Sequence, residues 1–254
     1  MLLAAAAGAA AGLVAGSFIG VIGERWPRGE QVVRGRSHCD SCGRTLGPLE
    51  LVPLVSWLAQ RGRCRGCGAA IPVALPIVEL GAAAIGALVA IAADEPLDSA
   101  WLIFGWMLLA LAYLDLKAFW LPDRLTLPLM AAGLAVQALV GEAVLSIAGA
   151  AIGWSLLVLV AAGYRRLRGR EGLGGGDPKL LGAIGAWLGP GALPIVLFAG
   201  SGAGLVAMVG VALAGHQVTG STRLPFGFFL AVGAALYMAF AYMFGLPAFG
   251  ARLP

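Results

Sequence analysis

The chain has 254 residues, of which 60% are hydrophobic and 12% are charged, and its formal net charge at pH 7 is +4. Its mean hydropathy of +0.90 excludes an ordinary soluble globular domain, in which about 25% of residues are charged. Uncharged runs recur that are long enough for a spanning helix, which needs about 20 apolar residues. The composition therefore predicts an all-α polytopic membrane protein.

The first predicted helix covers residues 2–23, a run without charged side chains. A signal peptide is the alternative, but it would have a basic start and an apolar core of about 7–15 residues. This segment has no basic start and is longer. We therefore expect a retained transmembrane helix as the first domain.

The second predicted domain, residues 24–72, is polar and holds all four cysteines as two C-x-x-C pairs, each followed by a glycine. Such pairs suit tetrahedral zinc, because each pair spans one knuckle and the glycine lets backbone amides turn toward the thiolates. Two disulfides are the alternative, which a reducing cytoplasmic location disfavours. We predict a small zinc-knuckle domain held together by its metal, and its arginines could simply bind anionic lipid headgroups. The predicted zinc ligands are Cys39, Cys42, Cys64 and Cys67.

Seven more helices are predicted in the third domain, residues 73–254, which makes about eight transmembrane helices in all. The uncharged run over residues 180–215 is too long for one helix. Gly189, Pro190 and Gly191 divide it, because proline and glycine end helices. The eight predicted helices cover residues 2–23, 73–93, 102–114, 125–140, 143–164, 177–188, 192–214 and 224–250.

Lysine and arginine are distributed unevenly over the predicted loops. The loops at residues 24–72, 115–124, 165–179 and 216–223 hold sixteen of the seventeen, and Arg252 alone lies on the other side. Because cytoplasmic loops attract lysine and arginine, the basic side is predicted to face the cytoplasm. The asymmetry also explains a sequence pI near 9.1, so we expect membrane lipid and no nucleic acid as a partner.

Two aspartates, Asp115 and Asp177, lie at the edges of hydrophobic segments on this predicted cytoplasmic side. Carboxylates at membrane depth are costly and mark sites of chemistry or ion conduction. Two close carboxylates share one proton, so one can activate water while the other hydrogen-bonds a peptide carbonyl. Gly174, Gly175 and Gly176 precede Asp177 and would permit unusual dihedral angles and close approach of a substrate strand. A plain flexible linker is the alternative for these glycines.

The aspartates also have structural explanations. Asp177 precedes Pro178, and Asp123 opens the next helix, so both could be helix N-caps. Asp115 ends a helix, where its charge opposes the helix dipole, and Lys117 could pair with it. By the same argument Asp177, at a helix start, should keep the negative charge while Asp115 holds the shared proton.

In their order, these motifs resemble the bacterial type IV prepilin peptidases, the leader peptidase/N-methyltransferases of pili and type II secretion systems. The resemblance covers nearly the whole chain. Beside the double C-x-x-C it is carried by Gly16-Ser17-Phe18-Ile19, Arg25-Trp26-Pro27, Pro76-Ile77-Val78-Glu79-Leu80, Asp115 with Leu121-Pro122-Asp123, Gly174-Gly175-Gly176-Asp177-Pro178-Lys179-Leu180 and Leu224-Pro225-Phe226-Gly227.

The resemblance implies an intramembrane aspartic endopeptidase of the GxGD type in residues 73–254. It implies Asp115 and Asp177 as the catalytic pair, with Lys179 and the three preceding glycines in the active-site loop. The implied substrate is a prepilin or pseudopilin, cut after a glycine at the cytoplasmic surface of the bacterial inner membrane.

The resemblance also implies a second activity, N-methylation of the new amino terminus with S-adenosylmethionine. This activity is associated with the four-cysteine domain, and Gly62 and Glu79 are the candidates near its site. An ion- or proton-coupled transporter that uses the intramembrane aspartates is the alternative function. A zinc enzyme is disfavoured because four thiolates would leave no open coordination position.

Overall fold

The computed structural model describes residues 1–33, 35–216 and 223–244, and these are almost entirely helical. No β-strand occurs in them, and isolated antiparallel bridges join His38 to Thr45 and Arg63 to Ala70. The predicted all-α class is confirmed. The helices are α1 Leu2–Arg25, α2 Val55–Ala59, α3 Ala74–Ala92, α4 Trp101–Ala118, α5 Asp123–Leu139, α6 Ala143–Arg168, α7 Asp177–Leu188, α8 Leu193–Leu213 and α9 Phe226–Met243.

Helices occur at all eight predicted places, but not all are long enough to cross a bilayer. α5 has 17 residues and α7 has 12. The structure thus confirms a multi-pass membrane protein and does not confirm the count of eight spans; residues 245–250 of the last predicted helix lie outside the described residues. The six segments with sufficient length and hydropathy are Leu2–Arg28, Ala74–Ala92, Pro96–Ala118, Ala143–Arg168, Pro190–Leu213 and Phe226–Met243.

The chain forms two compact units, Met1–Ala110 and Leu111–Pro254. In the first unit, α1 and α3 pack closely where small residues face each other. A side chain added at Gly12 would collide with the backbone at Ala82, and one added at Gly16 would lie 2.6 Å from Glu79 Cα. Small residues are the usual contact between helices in lipid, because they let two backbones approach closely.

The second unit is built around the short helix α7. Lys179 is partly exposed, and every other residue of α7 is buried. Glycines allow this close packing: a side chain added at Gly153 of α6 would lie 2.6 Å from the carbonyl oxygen of Leu181. Twelve residues extend about 18 Å, whereas the hydrocarbon core of a bilayer is about 30 Å thick. α7 therefore ends inside the unit.

Side chains from two neighbouring helices satisfy the carbonyl groups at the buried end of α7. Gln137 Nε2 of α5 donates a hydrogen bond to the carbonyl of Trp187 at 2.7 Å. Ser146 Oγ of α6 donates to the carbonyl of Ala186 at 2.6 Å. The last turn of a helix leaves such carbonyls without intrahelical donors, so these bonds allow α7 to stop without water.

Candidate active site

Asp115 lies in the last turn of α4 and is only 4% exposed. Its Oδ2 accepts a hydrogen bond at 2.9 Å from the backbone amide of Phe228, at the start of α9. A side chain added at the preceding Gly227 would lie 3.1 Å from the same oxygen. The start of α9 therefore needs a glycine here to present its amide to Asp115.

Asp177 is the first residue of α7 and is 5% exposed. Its Oδ2 accepts a hydrogen bond at 2.9 Å from the amide of Gly174, and no side chain caps the start of α7. The alternative explanation of Asp177 as an N-cap is therefore not supported, because its carboxylate turns back toward the glycine loop. The same explanation of Asp123 is not supported either, since no side chain caps the start of α5 and the Asp123 carboxylate binds Lys179 Nζ at 2.6 and 2.8 Å.

The structure brings Asp115 and Asp177 together, as predicted. Leu121 contacts the loop that precedes Asp177 and the start of α9, which donates the hydrogen bond to Asp115. A side chain added at Gly176 would lie 2.5 Å from Leu121 Cβ, and one at Gly227 would lie 2.7 Å from Leu121 Cδ1. Burial first, and then the negative charge of Asp115, raise the pKa of Asp177 to about 7. The Asp177 carboxyl group therefore gains or loses its proton near neutral pH.

The glycine loop before Asp177 contacts Leu121 closely and donates a backbone amide to Asp177. None of Gly174, Gly175 and Gly176 has a positive φ, so the expected unusual dihedral angles are not found. Within the chain, Gly176 leaves room for Leu121, and Gly174 donates its amide to Asp177. The close approach of a substrate strand stays a prediction. Lys179, assigned to this loop by resemblance, lies instead in the first turn of α7 and binds Asp123.

The four cysteines form a cluster within the first unit. Their Sγ atoms lie within 4.8 Å of one another, and none of the four is in a disulfide. Both knuckles have the same hydrogen bonds: Gly43 donates to the carbonyl of Cys39 at 2.8 Å, and Gly68 to that of Cys64 at 2.9 Å. Both glycines have positive φ, 69° and 73°, where a side chain would be strained. These hydrogen bonds close the turn after each pair, and the predicted turning of an amide toward a thiolate is seen at Cys64, whose Sγ accepts from the amide of Gly66 at 3.4 Å.

The cluster has the geometry and chemistry of a metal site. Four sulfurs around one tetrahedral zinc would be about 3.8 Å apart, given Zn–S bonds of about 2.3 Å; Cys39 Sγ and Cys67 Sγ are 3.9 Å apart. Hydrogen bonds from the amides of Cys67 and Gly66 lower the pKa of the Cys64 thiol to about 6. The ligand form of cysteine is the thiolate, so the cluster can hold a metal ion.

A cavity of about 230 Å³ lies beside the cluster within the first unit. It is lined by Cys39, Cys64, Arg25, His38, Trp57 and Glu79, among others. Glu79, a predicted site residue, is 9% exposed, and its Oε2 accepts a hydrogen bond from the amide of Leu54 at 2.7 Å. This cavity combines a buried carboxylate with a buried guanidinium, that of Arg25 at 8% exposure.

Gly62, the other predicted residue, lies behind Trp57 and is not part of the cavity wall. Its φ is +66°, and a side chain added there would lie 2.9 Å from Trp57 Cζ2. Trp57 in turn donates a hydrogen bond from Nε1 to the carbonyl of Ile71 at 3.3 Å. Gly62 can therefore influence the cavity through the position of Trp57.

Sequence reasoning missed the strained turn at Leu54, whose φ is 59° and ψ is −52°. Val55 donates its amide to the carbonyl of Pro53 at 2.6 Å, which makes a three-residue γ-turn of the rare kind with positive φ. The Glu79 carboxylate holds this turn through the Leu54 amide. The proline before Leu54 was the only local signal of a turn, and nothing in the sequence pointed to Glu79 as its partner.

The fold and the two sites define a multi-pass membrane protein with a buried pair of carboxylates and a separate four-thiolate site. Residues 10–93 match the family model for the bacterial peptidase A24 N-terminal domain, and residues 102–209 match that for the type IV leader peptidase family. The chain belongs to the type IV leader peptidase family.

Curated relatives share the name prepilin leader peptidase/N-methyltransferase. The relative from Aeromonas salmonicida (strain A449) is 42% identical over 206 residues, which cover 78% of this chain and 68% of the relative. The relative from Dichelobacter nodosus is 38% identical over 213 residues, covering 82% and 72%. The relative from Burkholderia pseudomallei (strain K96243) is 42% identical over 227 residues, covering 83% and 69%. No solved structure matches the chain.

Proposed function

We propose that this protein removes the leader peptide of type IV prepilins or pseudopilins and then N-methylates the new amino terminus. The name that the relatives share, prepilin leader peptidase/N-methyltransferase, supports both activities. The observation that carries the peptidase activity is the meeting of Asp115 and Asp177, both buried, in one unit of a peptidase family member. The family assignment gives the transporter alternative no support.

We assign cleavage to the aspartate pair. The ionised carboxylate takes a proton from a water molecule, whose oxygen attacks the carbonyl carbon of the scissile peptide bond. The protonated carboxyl group donates a hydrogen bond to the carbonyl oxygen and stabilises the negative charge that develops there. The tetrahedral intermediate then breaks its C–N bond as the amine nitrogen receives a proton from the pair. The products are a leader with a new carboxylate and a mature chain with a new amino terminus.

We place this reaction at the cytoplasmic surface of the inner membrane. α6 carries Arg165, Arg166 and Arg168 in its last turn, and the loop that follows leads directly to Asp177. Positive charge collects on the cytoplasmic side of membrane proteins, so the Asp177 end of the second unit is assigned to that side. A prepilin would be held by its apolar helix in the bilayer with its leader in the cytoplasm.

We assign methyl transfer to the first unit. The cysteine cluster would hold zinc as a structural ion, since four thiolates fill its coordination shell. S-adenosylmethionine, when bound, supplies an electrophilic methyl group and carries ammonium, sulfonium and carboxylate groups. In the cavity, the Glu79 carboxylate suits the cationic groups and the Arg25 guanidinium suits the carboxylate. Gly62 would act by leaving Trp57 in place.

The decisive experiment uses Asp115→Asn and Asp177→Asn in the full chain, reconstituted in lipid nanodiscs. Each substitution keeps the size of the side chain and removes its acid, so we expect leader cleavage to fall at least about a thousandfold. Cleavage is followed by mass spectrometry of a prepilin substrate. A substrate already cleaved, given with S-adenosylmethionine, serves as the control and should still be methylated. Full cleavage by either variant would refute the pair.

A further inference from the structure

The connection between α4 and α5, residues 119–122, crosses the aspartate site, and the chemistry of the pair leaves its role unexplained. It follows the helix that carries Asp115 and ends just before Asp123, the first residue of α5. Phe119, its first residue, has a φ of 50°, a region that bulky side chains rarely adopt. Its amide still donates to the carbonyl of Asp115 at 2.9 Å. The packing around this connection must therefore hold it in place.

Leu121 is the point at which the connection contacts both sides of the site. It is 9% exposed. Its side chain lies against Gly176, which precedes Asp177, and against Gly227, which precedes the residue whose amide binds Asp115. A methyl group added at either glycine would collide with this leucine. The Leu121 side chain therefore lies between the glycine loop before Asp177 and the start of α9, which binds Asp115.

An ion pair closes the same connection. Asp123, the first residue of α5, accepts from Lys179 Nζ with both carboxylate oxygens, at 2.6 and 2.8 Å. Lys179 is in the first turn of α7, two residues after Asp177. The side chain of Asp123 is 54% exposed and that of Lys179 is 34% exposed. Ion pairs as exposed as this contribute little to stability. This ion pair instead connects the start of α5 to the start of α7.

We propose that Leu121 and the Asp123–Lys179 ion pair are positioning elements that set the separation of the Asp115 and Asp177 carboxylates. Leu121 keeps the two segments apart, and the ion pair keeps the start of α7 from moving away. A shared proton requires two carboxylates close together, and peptide attack requires room for water, so the separation has limits on both sides. This inference rests on the proposed peptidase function.

The test of Leu121 compares three substitutions in the full chain in lipid nanodiscs, with a prepilin as substrate. We expect Leu121→Ala to lower kcat about tenfold or more with KM changed less than about twofold, since a small displacement of reacting groups is costly. Leu121→Met, which nearly conserves volume, should recover most of this loss. The control is Leu129→Ala, a fully buried leucine of α5 whose carbonyl binds Trp187, ten residues along α7 from Asp177. It should lose stability without this loss of kcat.

The pH profile separates positioning from simple destabilisation. Leu121→Ala changes no charge, yet a changed separation of the carboxylates alters how strongly one proton affects the other. Without the spacer the carboxylates can approach, which strengthens their repulsion. We therefore expect the two apparent pKa values of the kcat profile to lie further apart in Leu121→Ala and to be unchanged in Leu129→Ala. Equal profiles in wild type and Leu121→Ala would overturn the spacer role.

The ion pair is tested by exchanging its charges. Asp123→Lys alone and Lys179→Asp alone should each lower kcat about fivefold, and the double exchange should restore at least half of the wild-type value. A double variant no better than the single ones would overturn the positioning role of the pair. Failure of the wild-type protein to cleave would instead refute the proposed function, so the two failures are distinguishable.

Discussion

The pKa of Asp177 depends more on its buried surroundings than on its place at the start of a helix. The helix dipole favours a charged carboxylate there, and the Gly174 amide donates to it. Burial and the nearby charge of Asp115 act in the opposite direction and are larger, so the pKa of Asp177 is raised to about 7. The raised pKa of Asp177 opposes the expectation that this residue keeps the charge, and which aspartate holds the shared proton stays a prediction.

The protonation of Asp177 gives a prediction at the scale of one residue. In Asp115→Asn, the Coulomb repulsion between the two carboxylates is removed, whereas burial remains. We expect the pKa of Asp177 to fall below that in the wild type and to stay above the ordinary value of about 3.9. Infrared difference spectra against Asp177→Asn would follow the loss of the protonated carboxyl band as pH rises. A midpoint unchanged by Asp115→Asn would contradict the coupling.

The residues that sequence reasoning placed correctly are those with a local signal. The C-x-x-C spacing indicates the cysteines as ligands. Asp115 and Asp177 are recognisable because carboxylates are rare at the edges of apolar segments. Asp123 and Lys179 lie 56 residues apart, and no local pattern records that two helix starts meet. Asp123 before an apolar run has the pattern of an N-cap, and only the tertiary contact with Lys179 shows otherwise.

At the scale of elements, α7 is the exception to the hydrophobic pattern. Gly189 and Pro190 correctly predicted its end, because Gly189 takes a φ of 74° that closes the helix and a proline follows. Its burial on all sides was not predictable from its own sequence. That burial depends on glycines of α6 and on Gln137 and Ser146, whose partners lie 50 and 40 residues away.

The buried end of α7 gives a prediction for Ser146. Ser146→Ala removes the donor to the carbonyl of Ala186 and leaves that carbonyl unsatisfied, which should cost about 1–3 kcal/mol of stability. The matched control is Ser155→Ala in the same helix, a partly exposed serine whose hydroxyl donates to the carbonyl of Ile152 in its own helix. Thermal unfolding in nanodiscs should show a lower midpoint for Ser146→Ala alone. Equal midpoints would contradict the role of Ser146 as a cap.

At the scale of the whole molecule, the two candidate sites belong to different units. The cysteine cluster and its cavity lie within Met1–Ala110, and both aspartates lie within Leu111–Pro254. The apolar runs and the charge map predicted a membrane protein with one polar loop. The predicted ranges 125–140 and 177–188 were already short, and the structure agrees, with 17 residues in α5 and 12 in α7. The apolar runs alone did not show that α7 would be enclosed by protein on all sides.

The division into two units predicts that the two proposed activities can be lost separately. Cys42→Ser removes one thiolate of the cluster and should lower bound zinc, because three thiolates hold the ion less well than four. A loop of this size has little core without its metal, so we expect methylation of a cleaved substrate to fall about tenfold or more. Cleavage should change less than about threefold, since the aspartates keep their own contacts.

The reciprocal variant is the control. Asp115→Asn should keep its zinc, measured by mass spectrometry of the metal, and should methylate a cleaved substrate at the wild-type rate while failing to cleave a prepilin. In each variant, the activity of the altered unit should be lost, and the activity of the other unit shows that the protein is still folded. Equal loss of cleavage and methylation in Cys42→Ser, at a protein yield equal to that of the wild type, would show that the metal supports both sites and that the activities do not divide along the two units.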